Sequence, residues 1–250
     1  REAIGLKPTY VEAHSNLGVT LQELGKLKES EVAYRQAIEL RAESAEVHYN
    51  LSITLQRLGR FEEAEASCRQ AIALRAEYPE AHGNLGVTLQ ELDRFDEAEA
   101  SYRQAIALKP EYPETYCNLG ITLQKLGRLK EAEAVYSRAL ALKPEYAQAH
   151  NNLGITLEEM GRSGDAEASY RQAIAIDPSY ADPYYNWGNT LRGLKKLKQA
   201  EQCYRQAIEL KANYAEAFNN LGITLRDLGR FEESERSYRQ AIALKPDYAE

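Results

Sequence analysis

Pro79-Glu-Ala-His82-Gly-Asn84-Leu85-Gly86-Val-Thr-Leu89-Gln-Glu-Leu92-Asp93-Arg-Phe95-Asp-Glu-Ala98-Glu-Ala-Ser-Tyr102-Arg-Gln-Ala105-Ile106-Ala-Leu108-Lys-Pro110-Glu-Tyr112 is the unit from which this chain is assembled. Shifted by 34 residues in either direction it matches the chain again: Asn84 falls on Asn50 and Asn118, Ala105 on Ala71 and Ala139, Tyr112 on Tyr78 and Tyr146. A fixed period of this length marks a stacked-repeat architecture.

Inside the unit, apolar residues fall at helical spacing twice, first at His82, Leu85, Leu89 and Leu92, then at Phe95, Ala98, Tyr102, Ala105 and Ile106. The break between the stripes is Asp93, replaced by Gly25, Gly59, Gly127, Gly161 and Gly229 in other copies. Gly suits a left-handed helix C-terminus, and the following Lys or Arg suits the negative end of the helix dipole. Pro110 lies past the second stripe, where it stops the helix. Each unit therefore reads as a helical hairpin, helix A followed by helix B.

The order His82-x-x-Leu85-Gly86-x-x-Leu89, then Ala98-x-x-x-Tyr102, then Pro110 resembles the tetratricopeptide repeat, with His for its usual aromatic and Leu for its usual Tyr. The resemblance implies an all-α, right-handed superhelical solenoid of antiparallel helix hairpins. Seven complete copies are expected at 11–44, 45–78, 79–112, 113–146, 147–180, 181–214 and 215–248, forming a single solenoid domain. Residues 1–10 read as the end of a helix B and 249–250 as the start of a further repeat. A polar capping helix is missing at both ends, so the chain is expected to be part of a longer protein and to self-associate end to end through its stacking surfaces. Small residues such as Gly86, Ala98 and Ala105 are expected where helices approach closely.

Catalytic chemistry is absent from the pattern. His14, His48, His82 and His150 share one repeat position with Tyr116, Tyr184 and Phe218, which makes it a packing position and not a ligand set. Cys68, Cys117 and Cys203 occupy three different repeat positions, with no metal or disulfide spacing. No apolar run reaches membrane-spanning length, and no signal peptide or phosphate-binding loop is seen. The expectation is no enzyme, no cofactor, no metal, no membrane contact and an intracellular, cytoplasmic setting. The Glu31–Arg35, Glu99–Arg103 and similar spacings on helix B read as exposed intrahelical pairs.

In the resembled family helix A lines the concave groove. Carried over, the groove positions of the third copy are Glu80, Gly83, Asn84, Val87, Gln90 and Glu91. Asn fills one of them in every copy: Asn16, Asn50, Asn84, Asn118, Asn152, Asn186 and Asn220. Such a column either grips the backbone of an extended peptide or braces neighbouring repeats. Tyr49, Tyr185, Asn189, Arg192, Glu80 and Glu114 are the other candidate ligand residues. Eleven acids and four bases project to the groove positions, a difference equal to the net charge of −7 carried by the whole chain. First-turn acids such as Glu80 and Glu114 also favour the helix dipole.

The sixth copy departs most, with Trp187 for Leu, Asn189 for Val or Ile, Arg192-Gly193, and Lys195-Lys196-x-Lys198 at the turn. Drift and a local ligand contact both explain it. In the fifth, Ser163-Gly164 should let helix B start loosely. The expected function is a scaffold for an extended, neutral-to-basic peptide or protein segment. The alternative is a substrate-recruiting arm of a larger enzyme, since Asn-Leu-Gly with Ala-Ile-x-Leu-x-Pro also looks like the repeat arm of O-linked N-acetylglucosamine transferases. An acidic groove argues against nucleic acid.

Overall fold

The computed structural model describes residues 10–246. The expected partial repeat at 1–10, apart from Tyr10, and the expected repeat start at 249–250 lie outside the described residues. The rest is all helix and turn. The A and B helices alternate as α1 (Val11–Glu23), α2 (Leu27–Leu40), α3 (Ala45–Arg57), α4 (Phe61–Leu74), α5 (Pro79–Glu91), α6 (Phe95–Leu108), α7 (Pro113–Lys125), α8 (Leu129–Leu142), α9 (Ala147–Glu159), α10 (Ser163–Ile176), α11 (Ala181–Gly193), α12 (Leu197–Leu210), α13 (Ala215–Asp227) and α14 (Phe231–Leu244). They fall into two compact units that divide between Gly127 and Arg128.

Each turn between A and B has the same local cause. The residue after the C-cap is left-handed, and the amide that follows returns to the helix, as in Arg60 N–H to Leu55 O at 2.9 Å. Gly25, Gly59, Gly127, Gly161 and Gly229 take this conformation without a Cβ penalty, while Asp93 (φ +56°) and Lys195 (φ +60°) are held in it by the same bonds. The fifth B helix does not start loosely. Like the other B helices it runs 14 residues, and Ala166 N–H closes its first turn onto Arg162 O at 3.0 Å.

Packing is set by size. Tyr34, Tyr102, Tyr170 and Tyr204 point from helix B at the A-helix glycines Gly18, Gly86, Gly154 and Gly188, where an added Cβ would stand 2.5–2.7 Å from the ring. In the second hairpin Ser52 replaces the Gly and Cys68 replaces the Tyr, a matched exchange of size. Each buried aromatic is worth about 1.5–3 kcal/mol of apolar burial. Ala64, Ala98, Ala132, Ala166 and Ala200 are fully buried at the crossings. Within each unit successive A helices touch while successive B helices meet only through long side chains. Each stack therefore bends with its A helices on the inside.

The histidine position has a second role beyond packing. His48, His82 and His150 each place Nε2 3.0–3.1 Å from the carbonyl oxygen six residues earlier, and Tyr184 directs its hydroxyl at Pro178 O in the same way. A carbonyl only accepts, so the ring carries its proton on Nε2. His and Tyr interchange here because both present a donor at the tip of a flat ring.

Candidate functional site

The inner face of each unit is built from helix-A positions, and it is tied across repeats by amides. In the first unit Gln56 Nε2 donates to Asn84 O (3.0 Å) and Thr88 Oγ1 (2.6 Å), and Gln90 Nε2 donates to Asn118 O (3.4 Å). The oxygen ends of Gln22 and Gln90 accept from the buried hydroxyls of Tyr34 and Tyr102. One Gln thus joins its own helix B to the next helix A.

The second unit replaces this Gln by Glu158, Arg192 and Arg226. Arg has no acceptor. Accordingly the Tyr204 hydroxyl turns to Asn189 Oδ1 at 2.8 Å, which also accepts from Asn220 Nδ2 at 2.8 Å. Part of the divergence of the sixth repeat is therefore an internal repair: Asn189 supplies the acceptor that Arg192 cannot. The repair is incomplete, because Glu158 Oε2, Thr190 Oγ1 and Arg192 Nε are buried without a partner.

The asparagine column is not uniform. Asn84 Nδ2 donates to Ser52 Oγ (2.7 Å) and Cys68 Sγ (3.3 Å), Asn186 Nδ2 to Asn151 Oδ1 (3.0 Å), and Asn220 Nδ2 additionally to the Tyr185 hydroxyl (3.2 Å). These amides brace adjacent repeats. Asn152 accepts from Asn151 Nδ2 at 3.3 Å. The Oδ1 atoms of Asn84 and Asn186 are neither bonded nor among the buried unpartnered atoms, so they open to solvent. The same holds for the whole side-chain amides of Asn50 and Asn118, while Asn16 is exposed.

Tyr49 and Tyr185, candidates for ligand contact, are half-buried and also pack within their own repeats. Their rings lie 5.0 Å from Tyr78 and 4.9 Å from Tyr214. Burial pushes the Tyr49 hydroxyl up to about 12. The acids are partly neutralised: Lys109 reaches Glu80 at 3.0 Å and Lys245 reaches Glu216 at 3.7 Å. Partial burial works to raise the Glu80 carboxyl, but its own backbone N–H and Lys109 outweigh it and hold it below the usual carboxylate range. Glu114 stands exposed in the first turn of α7.

On the outer face an arginine ladder went unrecognised in the sequence. In four repeats the Arg after the left-handed residue reaches back to the preceding helix B: Arg60 to Glu31 and Arg94 to Glu65 at 2.6 Å, Arg162 to Glu133 and Arg230 to Glu201 at 2.7 Å. Its signal was present, a basic residue 29 positions after each helix-B Glu, but helix-dipole reasoning absorbed it. In the sixth repeat Lys196 reaches Glu167 only at 3.7 Å.

Among the described residues no group of three His, Cys, Asp or Glu side chains is placed to hold a metal ion, and no helix is long and apolar enough to cross a membrane. The three cysteines are buried and free of disulfides.

Stacked helical hairpins with amide-lined inner faces define a helical-repeat protein. The tetratricopeptide repeat profile matches residues 43–111, 78–145, 111–179 and 179–247, a further repeat profile matches 20–59, and the chain belongs to the tetratricopeptide repeat family. No curated protein matches it. Among solved structures it is similar to the APC/C hetero-tetramer Cut9-Hcn1 (16% identity, 98% of this chain, 49% of that chain, TM-score 0.78). It is also similar to PilF of Pseudomonas aeruginosa (20%, 82% and 94%, 0.72) and to YrrB, described as a TPR protein with an unusual peptide-binding site (25%, 74% and 95%, 0.58).

Proposed function

We propose that the chain is a non-catalytic scaffold that holds an extended, neutral-to-basic peptide segment along the A-helix faces of its units. The observation that carries this reading is the set of helix-A asparagines whose oxygens open to solvent while their neighbours fix the helices around them. Where Nδ2 is tied to the next repeat, the column offers acceptors, and its natural ligand groups are peptide N–H donors. Asn50 and Asn118 can serve both donors and acceptors. The peptide-binding description of YrrB agrees with this reading. An acid-rich inner face suits a basic segment and disfavours nucleic acid. No observation favours the enzyme-arm alternative. End-to-end association belongs to the same proposal, since Ile242 on the last described hairpin is 50% exposed where Ile38 and Ile208 are half-buried; a strict monomer at high concentration would remove it.

The test separates bracing from binding. Asn50→Ala with Asn118→Ala should leave the melting temperature unchanged and weaken a basic test peptide by about tenfold, two hydrogen bonds at about 0.5–1.5 kcal/mol each. Asn84→Ala should lower the melting temperature as well. Unchanged peptide affinity in the Asn50/Asn118 double variant would defeat the proposal.

A further inference from the structure

Tyr78 and Tyr214, the tyrosines that close the second and sixth hairpins, have the same surroundings. Each meets a ring from its own helix A, Tyr49 at 5.0 Å and Tyr185 at 4.9 Å. Each also carries a cation over its ring, Arg75 at 3.4 Å and Lys211 at 4.2 Å, and both are buried. Tyr112 closes the third hairpin with Lys109 4.6 Å over its ring, but the residue 29 positions earlier is Gly83. Tyr112 is left half-buried. A Cβ built on Gly83 would stand 3.7 Å from Thr115 Oγ1 and 4.0 Å from Tyr112 Cε1, with nothing else beyond its own helix within 4 Å. The place that a ring fills in two hairpins is open in this one.

The hydroxyl of the missing ring also has a counterpart. Tyr185 accepts from Asn220 Nδ2 at 3.2 Å. Asn118 stands 35 residues after Gly83, as Asn220 stands after Tyr185, and its side-chain amide is unbonded and open to solvent. Asn84, at the same distance after Tyr49, spends its Nδ2 on Ser52 and Cys68. Other copies use the Gly83 position themselves: Cys117 and Asn151 are buried there, and Asn219 reaches Asn220 at 3.5 Å. Among the described residues, then, only the third hairpin has the closing tyrosine, the stacked lysine and the free amide of the sixth while lacking its ring.

We propose that the hollow at Gly83 receives a tyrosine side chain of the bound segment, with its ring against Tyr112 and its hydroxyl accepting from the Asn118 amide. This rests on the inner-face reading and names one side chain of its ligand. Aromatic pairs favour tilted or offset contacts with centroids about 4.5–7 Å apart, the geometry that Tyr49 and Tyr185 already make. A neutral ring fits better than a cation, because Lys109 already lies over Tyr112 and is matched by Glu80 at 3.0 Å. A phenylalanine would keep the ring contact and leave the amide unanswered.

The probe is a ten-residue peptide of Lys, Ser and Gly with one central Tyr; two companions carry Phe or Ser in its place. By calorimetry the Tyr peptide should outbind the Ser peptide by about tenfold and the Phe peptide by about threefold. Asn118→Ala should bring the Tyr and Phe peptides to equal affinity. Gly83→Tyr supplies the ring from the chain itself, copying Tyr49 and Tyr185. It should melt no earlier than the unaltered protein, still bind the Ser peptide and lose the preference for Tyr. Equal affinity of the unaltered protein for the Tyr and Ser peptides would overturn this inference and leave the inner-face reading standing, whereas no binding of any of the three would overturn both. A Gly83→Tyr protein that melts much earlier would show that no ring fits, and one that keeps the Tyr preference would show that the tyrosine binds elsewhere; either overturns the inference.

Discussion

A single methyl group added at Gly86 should destabilise the protein, although it improves a helix. The new Cβ would stand 2.6, 2.7 and 2.8 Å from Cε1, Cζ and Cδ1 of Tyr102. Carbon pairs rest at about 3.5–4.0 Å, so the overlap approaches 1 Å on three atoms. Tyr102 cannot easily retreat, because it is fully buried and its hydroxyl is held by Gln90. Overpacking of this kind costs about 1–3 kcal/mol, and the Gly-to-Ala gain in helix propensity returns at most about 1 kcal/mol. Gly86→Ala should therefore lose about 1–2 kcal/mol. Gly83 is the internal control. It lies one turn earlier on the same helix, and the nearest atom to an added Cβ is Thr115 Oγ1 at 3.7 Å, an ordinary contact. Gly83→Ala should gain about 0.5–1 kcal/mol. Urea unfolding followed by circular dichroism measures both, with amide exchange in α5 and α6 locating the change, since repeat arrays need not unfold in one step. The second hairpin supplies a rescue: Gly86→Ser with Tyr102→Cys copies the Ser52 and Cys68 pair. It should recover part of the loss of Gly86→Ser alone, a coupling of about 1–3 kcal/mol. If Gly86→Ala proves as stable as Gly83→Ala, the Gly–Tyr packing argument is wrong.

Two further outcomes follow from the inner face and the histidine clips. Glu158→Gln restores the amide that Gln56 supplies to Thr88, gives Thr190 Oγ1 a donor and removes a buried unpartnered oxygen, so it should raise stability by about 1–2 kcal/mol; a lower melting midpoint would mean that the Glu158 carboxylate already has a partner. Burial holds the His150 imidazole below its usual range, offset in part by Pro144 O, so between its folded value and the unfolded value of about 6.5 the unfolded chain binds more protons and stability falls as pH falls. His150→Tyr, copying Tyr184, should flatten that part of the pH–stability profile; an unchanged slope would place the titration elsewhere.

What was legible in the sequence was local. The two apolar stripes, the left-handed glycine and the small residues at Gly86 and Ala98 each depend on residues of the same repeat, return with its period, and carried through to helices and crossings. The ring contacts of Tyr49 and Tyr185 were not legible, because the partner in each case is a tyrosine 29 residues later in the same repeat. Ser163-Gly164 misled in the opposite sense. Weak propensity at a helix start is overridden by turn hydrogen bonds and by packing on both sides.

By itself the sequence determined that this chain builds helix hairpins and stacks them, because periodicity, turn chemistry and side-chain size act within one repeat and return every 34 residues. It could not determine what its polar side chains hold. Asn84 meets Ser52 32 residues away, Arg94 meets Glu65 29 residues away, and Glu158 is left with an unpartnered oxygen at the position where Gln56 is bonded. Those partners lie on adjacent hairpins, and which atoms meet depends on how far one hairpin is rotated against the next. That rotation is set by contacts between neighbouring hairpins, such as Ala71 of one with Ala81 of the next, and only the tertiary structure contains it.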